Sequence, residues 1–191
     1  MRLVLATRNP HKLAELRELL APHEVLPLPE TVKLPRETGS TFLENALIKA
    51  RAAAAVTGSI VVADDSGIEA AALDGAPGVY SARFAGEDAT DEQNLARLLH
   101  DVRPDADTRV AYVCALVAVW PDGSKVSAQG TCAGTLTHTP RGAGGFGYDP
   151  AFVPDDLAGE RTMAEISAAE KDAISHRGRA ARALLQRIGR G

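Results

Sequence analysis

The chain has 191 residues, 45% of them hydrophobic and 24% charged, with a formal net charge of -4 at pH 7. This is the size and composition of one domain, 1–191, with a sizeable core, and the acidic balance argues against affinity built on sequence-independent neutralisation of a nucleic-acid backbone. Met1 opens directly onto a strand-like run and no stretch of about 18 apolar residues occurs, so a cytoplasmic protein with no membrane partner is expected.

Arg2 to Ala6 forms a short β-type run, closed by Thr7-Arg8-Asn9-Pro10. Leu13, Leu16, Leu19 and Leu20 then recur at helical spacing, with Asn9 placed to cap the helix and Pro10 at its first position. A short strand near Val25 to Leu28 and a Pro-rich loop, Pro29 to Gly39, lead to a second helix from about Phe42 to Thr57. A capping box, Thr41-x-x-Glu44, opens that helix and Gly58 ends it. Ile60 to Ala63 is a continuous apolar run suited to a strand buried on both faces, and it is expected to stop at Asp64-Asp65-Ser66-Gly67. A looped region precedes a helix capped by Thr90 with Gln93 as its box partner. Val110 to Trp120 and Lys125 to Leu136 read as a long hairpin, turned at Pro121-Asp122-Gly123-Ser124. The loop Thr137 to Pro154 follows, and one final helix from about Ala168 to Ile188. Cys114 and Cys132 lie in separate strands without metal-ligand spacing and read as reduced core thiols. Strands alternating with helices, then a hairpin, imply an α/β fold: a mixed β-sheet with helices on its faces.

Four segments carry candidate chemistry. Thr7-x-Asn9-x-x-Lys12 stands at a strand-to-helix junction, where unpaired N–H groups and the helix dipole favour an anion; capping by Thr7 and Asn9, with Lys12 solvated, is the competing reading. Asp64-Asp65 ends a buried strand, and adjacent carboxylates there repel unless a cation or hydrogen-bond donors relieve them. Hard oxygen ligands with room for waters and phosphates suit Mg²⁺, with Glu37 a further, weaker ligand; ordinary turn chemistry is the alternative.

Gly142-x-Gly144-x-x-Gly147 formally matches a dinucleotide fingerprint, but Tyr148-Asp149-Pro150 follows it where a helix would be needed. Its glycines instead allow close backbone approach, with Phe146 or Tyr148 available to stack on a flat ring, or they form an aromatic-anchored surface loop. Glu170 to Arg177 groups Lys171, Ser175 and His176 within about a turn, where Lys and Arg donors suit the carbonyl oxygens of a base. Arg182, Arg187 and Arg190 read as a solvated face. No Walker-type phosphate loop, Gly-x-Ser-x-Gly elbow or His-Glu-x-x-His pair is present.

These segments, taken in order, resemble the inosine triphosphate pyrophosphatase family over nearly the whole chain. The matching stretches are Leu5–Lys12, Glu37–Ala46, Ala63–Gly67, Gly75–Arg83, Gly144–Pro150 and Glu170–Arg177. The resemblance implies an elongated mixed sheet in two lobes around a central cleft, a homodimer, Mg²⁺, and a purine nucleoside triphosphate as substrate. It further implies that Thr7, Arg8, Asn9, Pro10, His11 and Lys12 hold phosphates, Lys49 a phosphate oxygen, and Glu37 and Asp65 the metal. Asp65 would activate water and Ser66 touch substrate; Phe146, Gly147, Tyr148, Asp149, Lys171, His176 and Arg177 would meet the base. Asp64 and Glu44 are the next candidates for the metal. A nucleotide sensor without turnover and an RNA-binding module on the arginine-rich tail are the rival readings. Three carboxylates beside a triphosphate speak against the first, and the acidic charge against the second.

Overall fold

The computed structural model describes residues 1–189; Arg190 lies outside them. Six strands form one sheet in the order β2-β1-β3-β4-β5-β6: β1 Arg2–Leu5, β2 Glu24–Pro27, β3 Val61–Ala70, β4 Arg109–Val119, β5 Lys125–Leu136 and β6 Phe152–Pro154. The helices are α1 Pro10–Leu19, α2 Phe42–Thr57, α3 Asp91–Asp101, α4 Ala168–Ile174 and α5 His176–Ile188. β1 runs parallel to β2 and β3, and β6 antiparallel to β5, so the mixed α/β sheet expected from the sequence is what forms. Among the described residues no helix is long and apolar enough to cross a membrane.

The chain divides into two compact units, each assembled from separate stretches of sequence. Among the described residues the first comprises 1–65, 114–130 and 177–189. Strand alternation organises its core, because successive side chains point to opposite faces of a sheet. Leu3, Leu5 and Val62 pack with Leu16 and Leu20 of α1 and Ala180, Ala181 and Leu184 of α5. Val4, Ala6, Val61 and Ala63 pack on the other face with Ala46, Ala50, Ala53 and Ala54 of α2. The small side chains of α2 therefore suit close helix-to-sheet approach as well as helix propensity. The second unit comprises residues 66–113 and 131–176. Its core gathers Ile68, Leu95, Leu98, Val110, Tyr112, Cys132, Tyr148, Phe152 and Met163. Both cysteines are buried and in no disulfide, as expected of core thiols.

Three expectations about elements are corrected. The apolar run does not stop at Asp64: β3 continues through Asp64-Asp65-Ser66-Gly67 to Ala70. Gly67 permits this by close approach, since a Cβ there would stand 2.3 Å from Ser81 Oγ and 2.5 Å from the Gly78 carbonyl. The last helix is two helices. Ser175 takes an extended conformation, φ -63° and ψ 154°, and its N–H donates to the Lys171 carbonyl, closing α4 before α5 begins. The loop from Thr137 carries a short strand, β6, at its end. Arg187 is exposed, as expected of a solvated face, and donates to the Ser127 carbonyl.

Candidate active site

Alternation along β3 sends the two adjacent aspartates to opposite faces of the sheet, so the mutual repulsion that the sequence suggested is relieved by geometry before any cation is considered. Asp64 shares the face of Val62 and meets α1 and α5. Its Oδ2 lies 2.9 Å from Lys12 Nζ and 3.7 Å from Arg177 Nη2. Arg177, 2% exposed, also donates to Glu15 Oε2 at 2.5 Å. Two carboxylates and two cations balance. Burial opposes the Asp64 charge, but Lys12, Arg177 and Lys49 outweigh it and hold the carboxyl well below the usual range.

Asp65 shares the face of Ala63 and meets α2. Lys49 Nζ lies 2.5 Å from Glu37 Oε1 and 3.4 Å from Asp65 Oδ1. Here two carboxylates face the Lys49 ammonium. The electrostatics follow. Burial, helped by Glu37 and opposed by Lys49, raises the Asp65 carboxyl above its ordinary value; the Lys49 ammonium, though disfavoured by burial, is raised by Asp65, Asp64 and Glu37. Asp65 Oδ2 is buried with no hydrogen-bond partner among the described residues. No group of three His, Cys, Asp or Glu among them is arranged to hold a metal. Two carboxylates with a spare oxygen nonetheless fit Mg²⁺, which keeps several waters and takes further oxygens from a bound phosphate. Glu44 is otherwise engaged, accepting from the N–H groups of Ser40 and Thr41 and from the Ser40 hydroxyl as the capping partner of α2.

The anion loop is organised by local bonds. Asn9 Oδ1 accepts from the N–H groups of His11 and Lys12, and Thr7 Oγ1 from that of Asn9. Arg8 donates to the carbonyls of Leu28, Pro29, Glu30 and Val32, binding the Pro-rich loop. Pro10 and His11 are exposed and Ser66 is half-buried.

In the second unit, Asp149 is the hub. It is 3% exposed, and its Oδ2 accepts from Lys171 Nζ at 2.7 Å and from the Phe146 N–H at 3.0 Å, while Oδ1 accepts from the Tyr112 hydroxyl at 3.1 Å. Lys171 Nζ also lies 4.9 Å from the Phe146 ring centroid. Gly147 donates its N–H to Asp91. Tyr148 is buried with its hydroxyl on the Ser81 carbonyl, and burial raises its pKa; of the two aromatic candidates, Phe146 alone keeps an accessible ring. His176 is buried and stacks on Tyr112. Two participants escaped the sequence reading. Glu15 follows Lys12 by one helical turn, a legible spacing. Tyr112 stands in an apolar strand, where its hydroxyl demands a partner.

Fold and donor set together describe an α/β protein with ion-paired carboxylates buried in the middle of a strand and an aromatic, glycine-rich loop tied to a buried aspartate. The chain belongs to the Ham1 family, whose model matches residues 3–187. It is 47% identical to a dITP/XTP pyrophosphatase of Exiguobacterium, covering 98% of this chain and 97% of that one. It is 48% identical to the dITP/XTP pyrophosphatase of Streptomyces coelicolor, over 96% and 95% of the two chains. Among solved structures, a HAM1 protein from Coxiella burnetii superposes with a TM-score of 0.89 at 40% identity, covering each chain completely, and the Staphylococcus aureus Ham1 protein with 0.88 at 38%, over 99% and 98%. The family expected from the six motifs is thus the family found.

Proposed function

We infer that this chain is a nucleoside-triphosphate pyrophosphatase, hydrolysing inosine- and xanthosine-type triphosphates to the monophosphate and pyrophosphate. The relatives that match it over nearly their whole length carry that activity in their names. The structural observation that carries the reading is the pair of carboxylates, Glu37 and Asp65, brought together on the Lys49 ammonium, with burial raising the Asp65 carboxyl.

Glu37 and Asp65 would hold Mg²⁺, and Lys49, paired with both carboxylates, would meet a phosphate oxygen. Bound Mg²⁺ supplies neutralisation of charge on the phosphates and on the leaving pyrophosphate. Asp65, with its raised pKa, accepts a proton from the water that attacks the α-phosphorus. Lys12 meets phosphates, with Asp64 fixing its ammonium; Thr7, Asn9 and Arg8 shape that loop, Pro10 and His11 lie at its exposed turn, and Ser66 flanks the carboxylate. Phe146, Gly147, Tyr148, Asp149, Lys171, His176 and Arg177 serve the base. Donors matched to a 6-oxo purine are left unpaired against the amino group of adenine, at about 1–3 kcal/mol each. The working form is a homodimer acting in the cytoplasm, without nucleic-acid or membrane partners.

Pyrophosphate release measured across inosine, deoxyinosine, xanthosine, guanosine and adenosine triphosphates, with and without Mg²⁺, tests the reading. Inosine and xanthosine forms should dominate. Equal efficiency on adenosine triphosphate, or release of orthophosphate in place of pyrophosphate, would overturn it.

A further inference from the structure

Tyr112 on β4 touches two of the side chains assigned to the base. Its hydroxyl donates to Asp149 Oδ1 at 3.1 Å. Its ring lies against the His176 imidazole, centroids 4.6 Å apart and planes 10° from parallel. Phe152 supports the tyrosine ring as well, tilted by 41° with centroids 4.6 Å apart. Tyr112 is 6% exposed and His176 4%, so the stack lies in the core of the second unit.

The consequence runs through Asp149. Lys171 and the Phe146 N–H occupy Oδ2, and the tyrosine hydroxyl holds Oδ1. Donors on both oxygens fix the plane of the carboxylate; with Oδ1 released, rotation about the last side-chain torsion is resisted from one side only, and that torsion is intrinsically broad. The Lys171 ammonium takes its place from the same carboxylate. Its flexible four-carbon stem and three rotatable donors give it no directional preference of its own. The stack sets the plane of the His176 ring in the same way.

We propose that Tyr112 is a positioning residue for base selection, aligning Lys171 through Asp149 and His176 through the ring stack. This rests on the reading that Lys171 and His176 meet the base. It assigns Tyr112 no contact with phosphates or metal, so its loss bears on which nucleotide is accepted and not on the chemical step.

Tyr112→Phe removes the hydroxyl and keeps the stack. Steady-state kinetics on inosine and adenosine triphosphates should show kcat/KM for inosine triphosphate lowered about tenfold, carried by KM, with adenosine triphosphate changed less than about twofold; a decade is about 1.4 kcal/mol, the size of one misplaced hydrogen bond. The inosine-to-adenosine ratio narrows accordingly. Because both substrates are measured on one sample, that ratio is independent of the active fraction, and partial loss of folded protein cannot imitate the effect. Tyr112→Leu, which abolishes the stack too, should narrow the ratio further. A large wild-type ratio that both variants leave unchanged, or an equal loss on both nucleotides, overturns the inference alone. A wild-type ratio near one defeats the base-selection reading and this inference with it.

Discussion

Asp64→Asn tests whether the first aspartate is there to hold the protein together. The side chain is 1% exposed, with Lys12 at 2.9 Å and Arg177 at 3.7 Å. Asparagine keeps the shape and deletes the charge that both cations share. Removing one member of a buried ion pair costs about 3–5 kcal/mol. Glu15 keeps its hold on Arg177, and the Lys12 side chain, 16% exposed, has a route to solvent; the lower end, about 3 kcal/mol, is therefore expected. In a chain of this length that is a fall in Tm of about 6–12 °C. The pH dependence fixes the interpretation. Burial opposes the Asp64 charge but its cations prevail, so its folded pKa lies below the ordinary 3.8. A depressed carboxyl stabilises fully above its unfolded pKa and loses that contribution as pH falls through the folded value. The gap between wild type and variant should thus be the same at about pH 8 and about pH 5.5, and close only below about pH 4. Urea unfolding followed at the single tryptophan, Trp120, measures it. A variant within about 0.5 kcal/mol of wild type at neutral pH, or a gap that closes between the two higher pH values, would refute the reasoning.

Asp65→Asn should cut kcat by at least about a hundredfold while leaving the protein at least as stable at neutral pH. The sign follows from its raised pKa: ionisation of Asp65 disfavours the fold above the unfolded pKa, and asparagine removes that penalty. A lowered Tm together with normal turnover would contradict both halves. Glu37→Gln should raise the Mg²⁺ concentration giving half-maximal rate with a smaller effect on kcat at saturating metal, and an unchanged metal titration would move the ligand elsewhere. Gly145→Ala places a Cβ 2.0 Å from Asp149 Oδ2 at a φ of +71°; it should raise KM for inosine triphosphate by about tenfold or more, at a cost of about 1–3 kcal/mol of stability, and unaltered kinetics would separate Asp149 from substrate binding.

The parts of the fold legible in the sequence were those with local causes. Asn9 with Pro10, Thr41 with Glu44 and Thr90 with Gln93 each fix a helix start by bonds spanning three residues, and all three caps form. The extent of β3 was not legible, because Asp-Asp-Ser-Gly has the composition of a turn and becomes strand only when Lys12, Arg177 and Lys49 arrive from three different helices. The break at Ser175 was hidden for a related reason: no Gly or Pro marks it, and Ala168 to Ile188 keeps its helical spacing on either side. Among candidate site residues, Lys12, Lys49, Asp65, Asp149 and Lys171 were recognisable as charged groups in suggestive places, whereas their pairing was not. Phe146 and Tyr148 looked equivalent two residues apart, and only the tertiary bond from the Tyr148 hydroxyl to the Ser81 carbonyl separates them.

That two neighbouring aspartates can have opposite physical roles follows from the two-residue period of a strand. A helix would place both carboxylates within one turn; β3 gives each its own face and its own helices, while Lys12 and Lys49 act on both. On one face Lys12 and Arg177 neutralise Asp64 and Glu15, and the depressed Asp64 carboxyl makes that cluster a source of stability. On the other, Lys49 sits between Glu37 and Asp65, and burial leaves Asp65 with a raised pKa. A group that weakens the fold in its charged state persists where that charge is used, and strain of this kind collects at functional sites. The two asparagine substitutions therefore make a matched pair, identical in chemistry and one residue apart. One should lower stability far more than it lowers the intrinsic rate of what remains folded, and the other should abolish the rate and spare the fold. If both fell on the same axis, the division of β3 into a structural face and a reactive face would be wrong, and the raised Asp65 carboxyl would lose its claim to mark the active site.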